Sequence, residues 1–324
     1  MRQILSNESL SWLPIGLFGA VMGLCGLAQA WNLASSIWSL PSWIATAIGV
    51  GASLIFMTLL FAFIFKWACN PKKLRQDLSD PVTSVRYATP LISALLLPTI
   101  WVDYFPNAAR ILWLTGAIGM VSFAWYILGR WLLGNHNLSQ VSPTWIIPIV
   151  GMLDIPLAAK SIGFANFLPE LSILALAVGL GFTLPLLSIL LARLVFDSPL
   201  PAATKPSLMI LLAPFSVGFS AYVEVRGSID LFAQGLLSIT IFLLPILIIQ
   251  LKNLPVYCPF RVSWWSVSFP LAASVVAILK FSLTNKDGFI SLLAAPLLIL
   301  VTTVFIWLLV RTLTGLITGE LRRI

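Results

Sequence analysis

Along the chain, apolar residues come in ten long runs separated by short polar breaks. The runs cover about 12–33, 42–68, 87–103, 106–133, 143–161, 169–194, 207–224, 229–251, 263–281 and 289–312. Stretches such as Leu236–Leu251 are apolar on every face. They lack the alternation of a barrel strand, so the pattern predicts helices in a bilayer. The third run is the least regular, because Pro90 and Pro98 interrupt it and Asp103 follows closely. Turn formers fill the breaks, as in Asn70-Pro71, Asp80-Pro81, Asp197-Ser198-Pro199 and Asn285-Lys286-Asp287-Gly288.

A crossing helix needs about 20 apolar residues, so ten would use about 200 of the 324. The expected fold class is an all-α polytopic membrane protein with ten transmembrane helices. One transmembrane domain over 1–324 is expected, with no stretch left for a separate soluble module.

Composition narrows the class further. Apolar residues make up 59% and charged ones 9%, with mean hydropathy +1.00. A soluble domain carries about 25% charged residues. The numbers exclude a soluble globular protein, a disordered chain, a disulfide-stapled secreted domain and a nucleic-acid binder.

The net charge of +8 carries topology. With the N-terminus inside, fourteen Lys/Arg, among them Arg2, Lys66, Arg86, Arg130, Arg261, Arg322 and Arg323, fall on the inner side. Arg110, Lys160, Arg226, Lys280 and Lys286 make five on the outer side. The asymmetry predicts cytoplasmic N- and C-termini and an even number of spans. The expected location is a multi-pass position in a bacterial inner (plasma) membrane. Insertion and lipid-headgroup contact explain most of this charge, and anion attraction at the cytoplasmic mouth is the functional alternative. Residues 12–27 followed by Ala28-Gln29-Ala30 have the look of a cleavable signal, but Glu8 and the run's Pro14, Gly16, Gly19, Gly23 and Gly26 argue for retention.

Cys25, Cys69 and Cys258 form no C-x-x-C pair, and His136 is the lone histidine. No metal or other cofactor is expected.

The odd-numbered runs share a motif. Pro14 is followed by Gly16 and Gly19, Pro90 by Ser93 and Ala94, Pro148 by Gly151, Pro214 by Gly218, and Pro270 by Ala272 and Ala273. Proline removes a backbone hydrogen bond and kinks a helix. Freed carbonyls at membrane depth are tolerated where protein or a wet cavity covers them, and small residues keep such a place open or let helices close up. The pattern predicts five helix hairpins, odd helix inside and even helix outside, around a central path. The alternative is the ordinary abundance of Pro and Gly in membrane helices.

Catalytic signatures are missing. There is no G-x-x-x-x-G-K-[ST], no H-E-x-x-H and no Ser-His-carboxylate spacing. No enzyme activity is expected, and transport is the default. Asp154 lies near the middle of the fifth run, between Pro148 and Pro156. It is either a proton or cation site on the path, or a protonated acid that satisfies backbone groups beside a kink. Glu224 and Arg226 fit a mouth or interface pair, and Lys160 can snorkel to the headgroups. Trp12, Trp43, Trp67, Trp101, Trp145 and Trp264 lie near run ends, where tryptophan anchors the interface. Phe269 lies within the ninth run, immediately before Pro270, and by composition alone reads as packing.

Four stretches together resemble a known family. Pro206-Ser207-Leu208-Met209-Ile210-Leu211-Leu212-Ala213-Pro214-Phe215-Ser216-Val217-Gly218-Phe219 resembles the seventh helix of the tellurite-resistance/dicarboxylate transporter family. That family includes bacterial TehA-like proteins and the plant slow-type guard-cell anion channels. Trp264-Trp265-Ser266-Val267-Ser268-Phe269-Pro270-Leu271-Ala272 is similar to its ninth helix, W-W-x-x-(S/T)-F-P. Pro14–Gly23 is similar to its opening motif, and Pro143–Gly151 fits its fifth helix. The likeness runs from about residue 11 to 312.

The resemblance implies a homotrimer in which each protomer has its own pore, lined by the five odd helices in quasi-fivefold arrangement. It implies a path for small inorganic or organic anions, with little fixed charge, closed by one phenylalanine that maps to Phe269. Asp154 departs from the uncharged residue often found there and raises coupling to protons. Control through long phosphorylated tails is not expected. Two functions stay open: a passive channel for nitrate- or chloride-like anions, and a secondary carrier of dicarboxylates or similar organic anions, proton-linked through Asp154. A membrane sensor or scaffold is disfavoured because the cytoplasmic loops are too short to carry a module. The natural solute is not legible, since a pore with few polar groups carries no readable code.

Overall fold

The computed structural model describes residues 13–285 and 288–320. Arg2, Glu8, Trp12, Lys286, Asp287, Arg322 and Arg323, which entered the topology and anchoring expectations, lie outside the described residues. All regular structure among the described residues is helical. Among the described residues, eight helices are long and apolar enough to cross a bilayer. They are Ile15–Trp38, Trp43–Cys69, Pro106–Leu133, Pro169–Phe196, Ala202–Arg226, Leu231–Gln250, Val262–Thr284 and Phe289–Ile317.

The third and fifth apolar segments are shorter. The third runs as Val85–Tyr87, Ala88–Leu96 and Pro98–Trp101, broken where Pro98 opens a new turn. The fifth is the run Pro143–Ala159, wound alternately as 3-10 and α. Their prolines explain the interruptions, since each deletes a helix donor and clashes with the preceding turn.

Each odd-numbered segment begins with a 3-10 lead-in: Ile15–Leu17, Val85–Tyr87, Pro143–Ile146, Ala202–Leu212 and Val262–Val267. The repeat prolines lie at this junction rather than deep in a helix. Pro148 and Pro214 are the second residues of their α stretches, and Pro90 and Pro270 are the third. In the first α turn the missing N–H has no intrahelical partner to lose, so proline sets where 3-10 winding becomes α. Pro14 differs, because it precedes the 3-10 turn itself.

Burial separates the segments. In the first, seventh and ninth, 67%, 67% and 83% of the apolar window is inside the protein, against 22–33% in the second, fourth, sixth, eighth and tenth. Consecutive odd segments touch in a cycle: first to third, third to fifth, fifth to seventh, seventh to ninth, ninth to first. Each even segment packs on the odd one before it.

The first and ninth segments approach most closely, through Gly19, Gly23 and Gly26. Ser268 Oγ is within hydrogen-bond distance of Trp265 O (2.7 Å) and Gly19 O (3.2 Å). Ser93 Oγ reaches Thr89 O at 2.8 Å and Phe18 O at 3.3 Å. Trp113 Nε1 donates to Ile155 O, next to Pro156, at 3.0 Å. Side chains thus satisfy carbonyls that irregular winding exposes.

The tryptophans divide. Trp43 is exposed, but Trp145 and Trp264 are buried inside the protein rather than at its rim. Trp145 stacks on Trp131 at 5.1 Å, and Trp264 packs on Trp307 at 5.0 Å. Lys160 is exposed at the end of its segment. Glu224 pairs with Lys280 at 2.5 Å, whereas Arg226 faces Asp230 at 3.9 Å.

Candidate functional site

A cavity of about 310 Å³ opens among the odd segments. Pro14, Gly16 and Gly19 line it from the first segment, Gly151 and Asp154 from the fifth, Phe269 and Pro270 from the ninth. Seven of the residues singled out from the sequence thus meet at one place. Pro90, Pro148, Pro214 and Gly218 are not in its lining. They lie in the same segments, and Gly218 faces outward, where an added Cβ would come 2.9 Å from Leu180 of the sixth segment.

The small residues have different surroundings. A Cβ at Gly16 would meet nothing within 4 Å, so this position opens onto empty space. At Gly151 it would come 2.8 Å from Ile92 and 2.9 Å from Met120, so the glycine there permits close packing against the third and fourth segments.

Phe269 is 7% exposed and lines the cavity with its ring beside the first segment. A Cβ at Gly26 would lie 3.7 Å from Phe269 Cδ2. The 3-10 lead-in and Pro270 place Phe269 as the second residue of the α stretch, at the junction itself.

Asp154 is fully buried, and neither carboxylate oxygen has a hydrogen-bond partner. It ends the 3-10 turn Gly151–Asp154 and is the one acidic residue in the cavity lining. No ion pair reaches it among the described residues. The alternative in which it satisfies freed backbone groups finds no hydrogen bond here.

Two lining residues escaped the sequence-based search. Arg86, at the start of the third segment, and Arg261, just before the ninth, both border the cavity. Their sequence signal was present but was absorbed in the inner-side charge count. Thr89, Thr144, Ser207 and Ser263 add hydroxyls to the same wall. No group of three or more His, Cys, Asp or Glu that could hold a metal occurs among the described residues.

The chain compares with known proteins over nearly its whole length. An uncharacterized transporter of Methanocaldococcus jannaschii is 28% identical over 313 residues, covering 88% of each chain. The S-type anion channel SLAH3 of Arabidopsis thaliana is 26% identical over 312 residues, 93% of this chain and 48% of the relative. The tellurite resistance protein TehA homolog of Haemophilus influenzae is 24% identical over 263 residues, 81% of this chain and 79% of the relative. The first is a transporter and the second an anion channel by name, and the apolar helices make this chain a multi-pass membrane protein. The voltage-dependent anion channel (SLAC1) family profile matches residues 13–313, so the chain belongs to that family.

Proposed function

We propose that the protein is an anion channel passing small anions of the nitrate or chloride kind through a central path gated by Phe269. The observation that carries this function is the position of Phe269, whose ring borders a cavity enclosed by the odd segments. Gly16 opens onto empty space in the same cavity, Gly19 and Gly151 line it, and Pro14 and Pro270 set the winding of the first and ninth segments. Pro90, Pro148, Pro214 and Gly218 shape the same segments at their junctions and contacts. The cyclic contacts and the burial difference support ten crossings as five hairpins in quasi-fivefold arrangement. The whole forms one transmembrane domain. Family membership supports a homotrimer in a bacterial inner membrane, and the Lys/Arg asymmetry supports cytoplasmic termini.

A second function has its own observation. Asp154 borders the cavity with both oxygens buried and unpartnered. A proton-linked carrier of dicarboxylates or similar organic anions would use such a group to take up and release a proton. A neutral acid would not repel the passing anion.

Recording from purified protein in lipid, with one anion replaced by another, tests the proposal. Currents carried by nitrate or chloride, at rates beyond a carrier cycle and independent of a proton gradient, are expected. Slow uptake that stops without a proton gradient would favour the carrier, and no anion movement in the parent or in Phe269→Ala would overturn both.

A further inference from the structure

The cavity wall carries two cations that no acid pairs with among the described residues. Arg86 and Arg261 form no ion pair among the described residues. Arg261 Nε is buried with no hydrogen-bond partner. Ser263 Oγ, two residues on in the 3-10 turn that Arg261 precedes, is likewise buried and unpartnered. Asp80 acts on Arg86 electrostatically but accepts its hydrogen bond from Thr83 N instead. A guanidinium can only donate, so an unpartnered one in a cavity wall is a standing demand for an acceptor. A hydroxyl with a free proton beside it adds a second donor.

The other end of the same segments is different. Lys280, nineteen residues beyond Arg261 in sequence, is held by Glu224 at 2.5 Å. Its charge is cancelled by an acid from the seventh segment. One end of the odd segments therefore brings two guanidinium groups without an ion pair to the cavity wall, whereas Lys280 lies outside that lining and is paired.

We propose that Arg86, Arg261 and Ser263 form a binding site for a small inorganic anion at the entry of the cavity, on the side where the odd segments begin. Its ligand is a monovalent anion such as nitrate or chloride, held by charge-assisted hydrogen bonds from the guanidinium groups and the serine hydroxyl. The proposal rests on the anion path described above and adds a direction to it. The site gathers anions on the side that the Lys/Arg asymmetry assigns to the cytoplasm, so the path loads from within at concentrations too low to load it from outside. Asp154, the only acid in the lining, is no partner for either guanidinium and does not compete for the site.

The test is anion-dependent thermal stability of the full-length protein in detergent, with nitrate replacing gluconate at fixed ionic strength. A saturable rise in Tm is expected for the parent. Arg261→Gln and Arg86→Gln should each move the midpoint of that rise to about tenfold higher nitrate or more, the effect of losing one charge-assisted hydrogen bond. Arg261→Lys should keep part of the rise. The control Glu224→Gln/Lys280→Met should keep the parent midpoint. The shift with nitrate is compared within each variant, so a variant of lower starting Tm still reports. Absence of any saturable rise in the parent, or an unchanged midpoint in both glutamine variants, would overturn the site. Planar-bilayer recordings with one-sided nitrate separate the two proposals. An intact nitrate titration with no current in the parent or in Phe269→Ala would count against the channel and leave the site standing.

Discussion

A methyl group placed at Gly23 would overlap the side chain of Ser268, with the hydroxyl of that serine nearer than any real Cβ contact. The same methyl would also lie 3.0 Å from Phe305 of the tenth segment. Two segments close on one glycine of a third. Gly23→Val should therefore lower stability by about 1–3 kcal/mol through overpacking. Gly16→Ala should leave it nearly unchanged, because the space there is open. Thermal unfolding of both variants in the same detergent checks the contrast, and equal losses would show that the close approach of the first and ninth segments is not a constraint.

Phe269→Ala should raise anion flux strongly, and Phe269→Leu should raise it less. Removing the ring enlarges a cavity that already exists. Leucine refills part of the volume. If the ring serves only as packing, alanine instead costs about 3–5 kcal/mol of stability with no gain in conduction. Flux and thermal stability measured on the same two variants distinguish the outcomes, and unchanged current with lowered stability would remove Phe269 as the gate.

Asp154→Asn should keep the selectivity for anions, since the substitution preserves shape and removes only the ionisable proton. In a proton-linked carrier the same change should flatten the dependence of transport on pH. Uptake measured from pH 5 to 8 in parent and variant reads this out, and matching profiles at every pH would leave the carrier without its main residue.

Cys69 is exposed at the end of the second segment, whereas Cys258 is buried. An impermeant maleimide added to intact cells should leave Cys69 unlabelled, and permeabilising the cells should expose it. Labelling from outside would invert the orientation drawn from the charge asymmetry. Cys258 should stay unlabelled in both cases until the protein is unfolded.

Much of the fold was legible because hydropathy reports depth in the membrane. Pro90 and Pro98 also announced that the third segment would be irregular, whereas the short, mixed winding of the fifth was not read from Pro148 and Pro156. Direction around the helix axis was harder to read. Trp145 and Trp264 stand at segment ends in sequence, yet their rings point into the protein, because an end position fixes height and not azimuth. Arg86 and Arg261 were hidden for a related reason: a charge count assigns a residue to a side of the membrane and says nothing of what it faces. Lys280 and Glu224 lie 56 residues apart on different segments, so only the packing of the seventh on the ninth brings them together. Phe269 was singled out through the family resemblance of its motif, since by composition alone it reads as packing, and the structure places it in the cavity lining.

The mixed winding of the fifth segment alters its reach. Pro143–Ala159 contains eight residues in 3-10 turns and nine in α turns. At about 2.0 Å per residue in the former and 1.5 Å in the latter, it extends about 30 Å, where a uniform α-helix of the same residues would reach about 26 Å. The hydrocarbon layer is about 30 Å thick. A segment that falls short of the usual residue count thus reaches a length matching that thickness, and one of the turns that lengthen it carries Asp154 and Gly151 to the cavity wall.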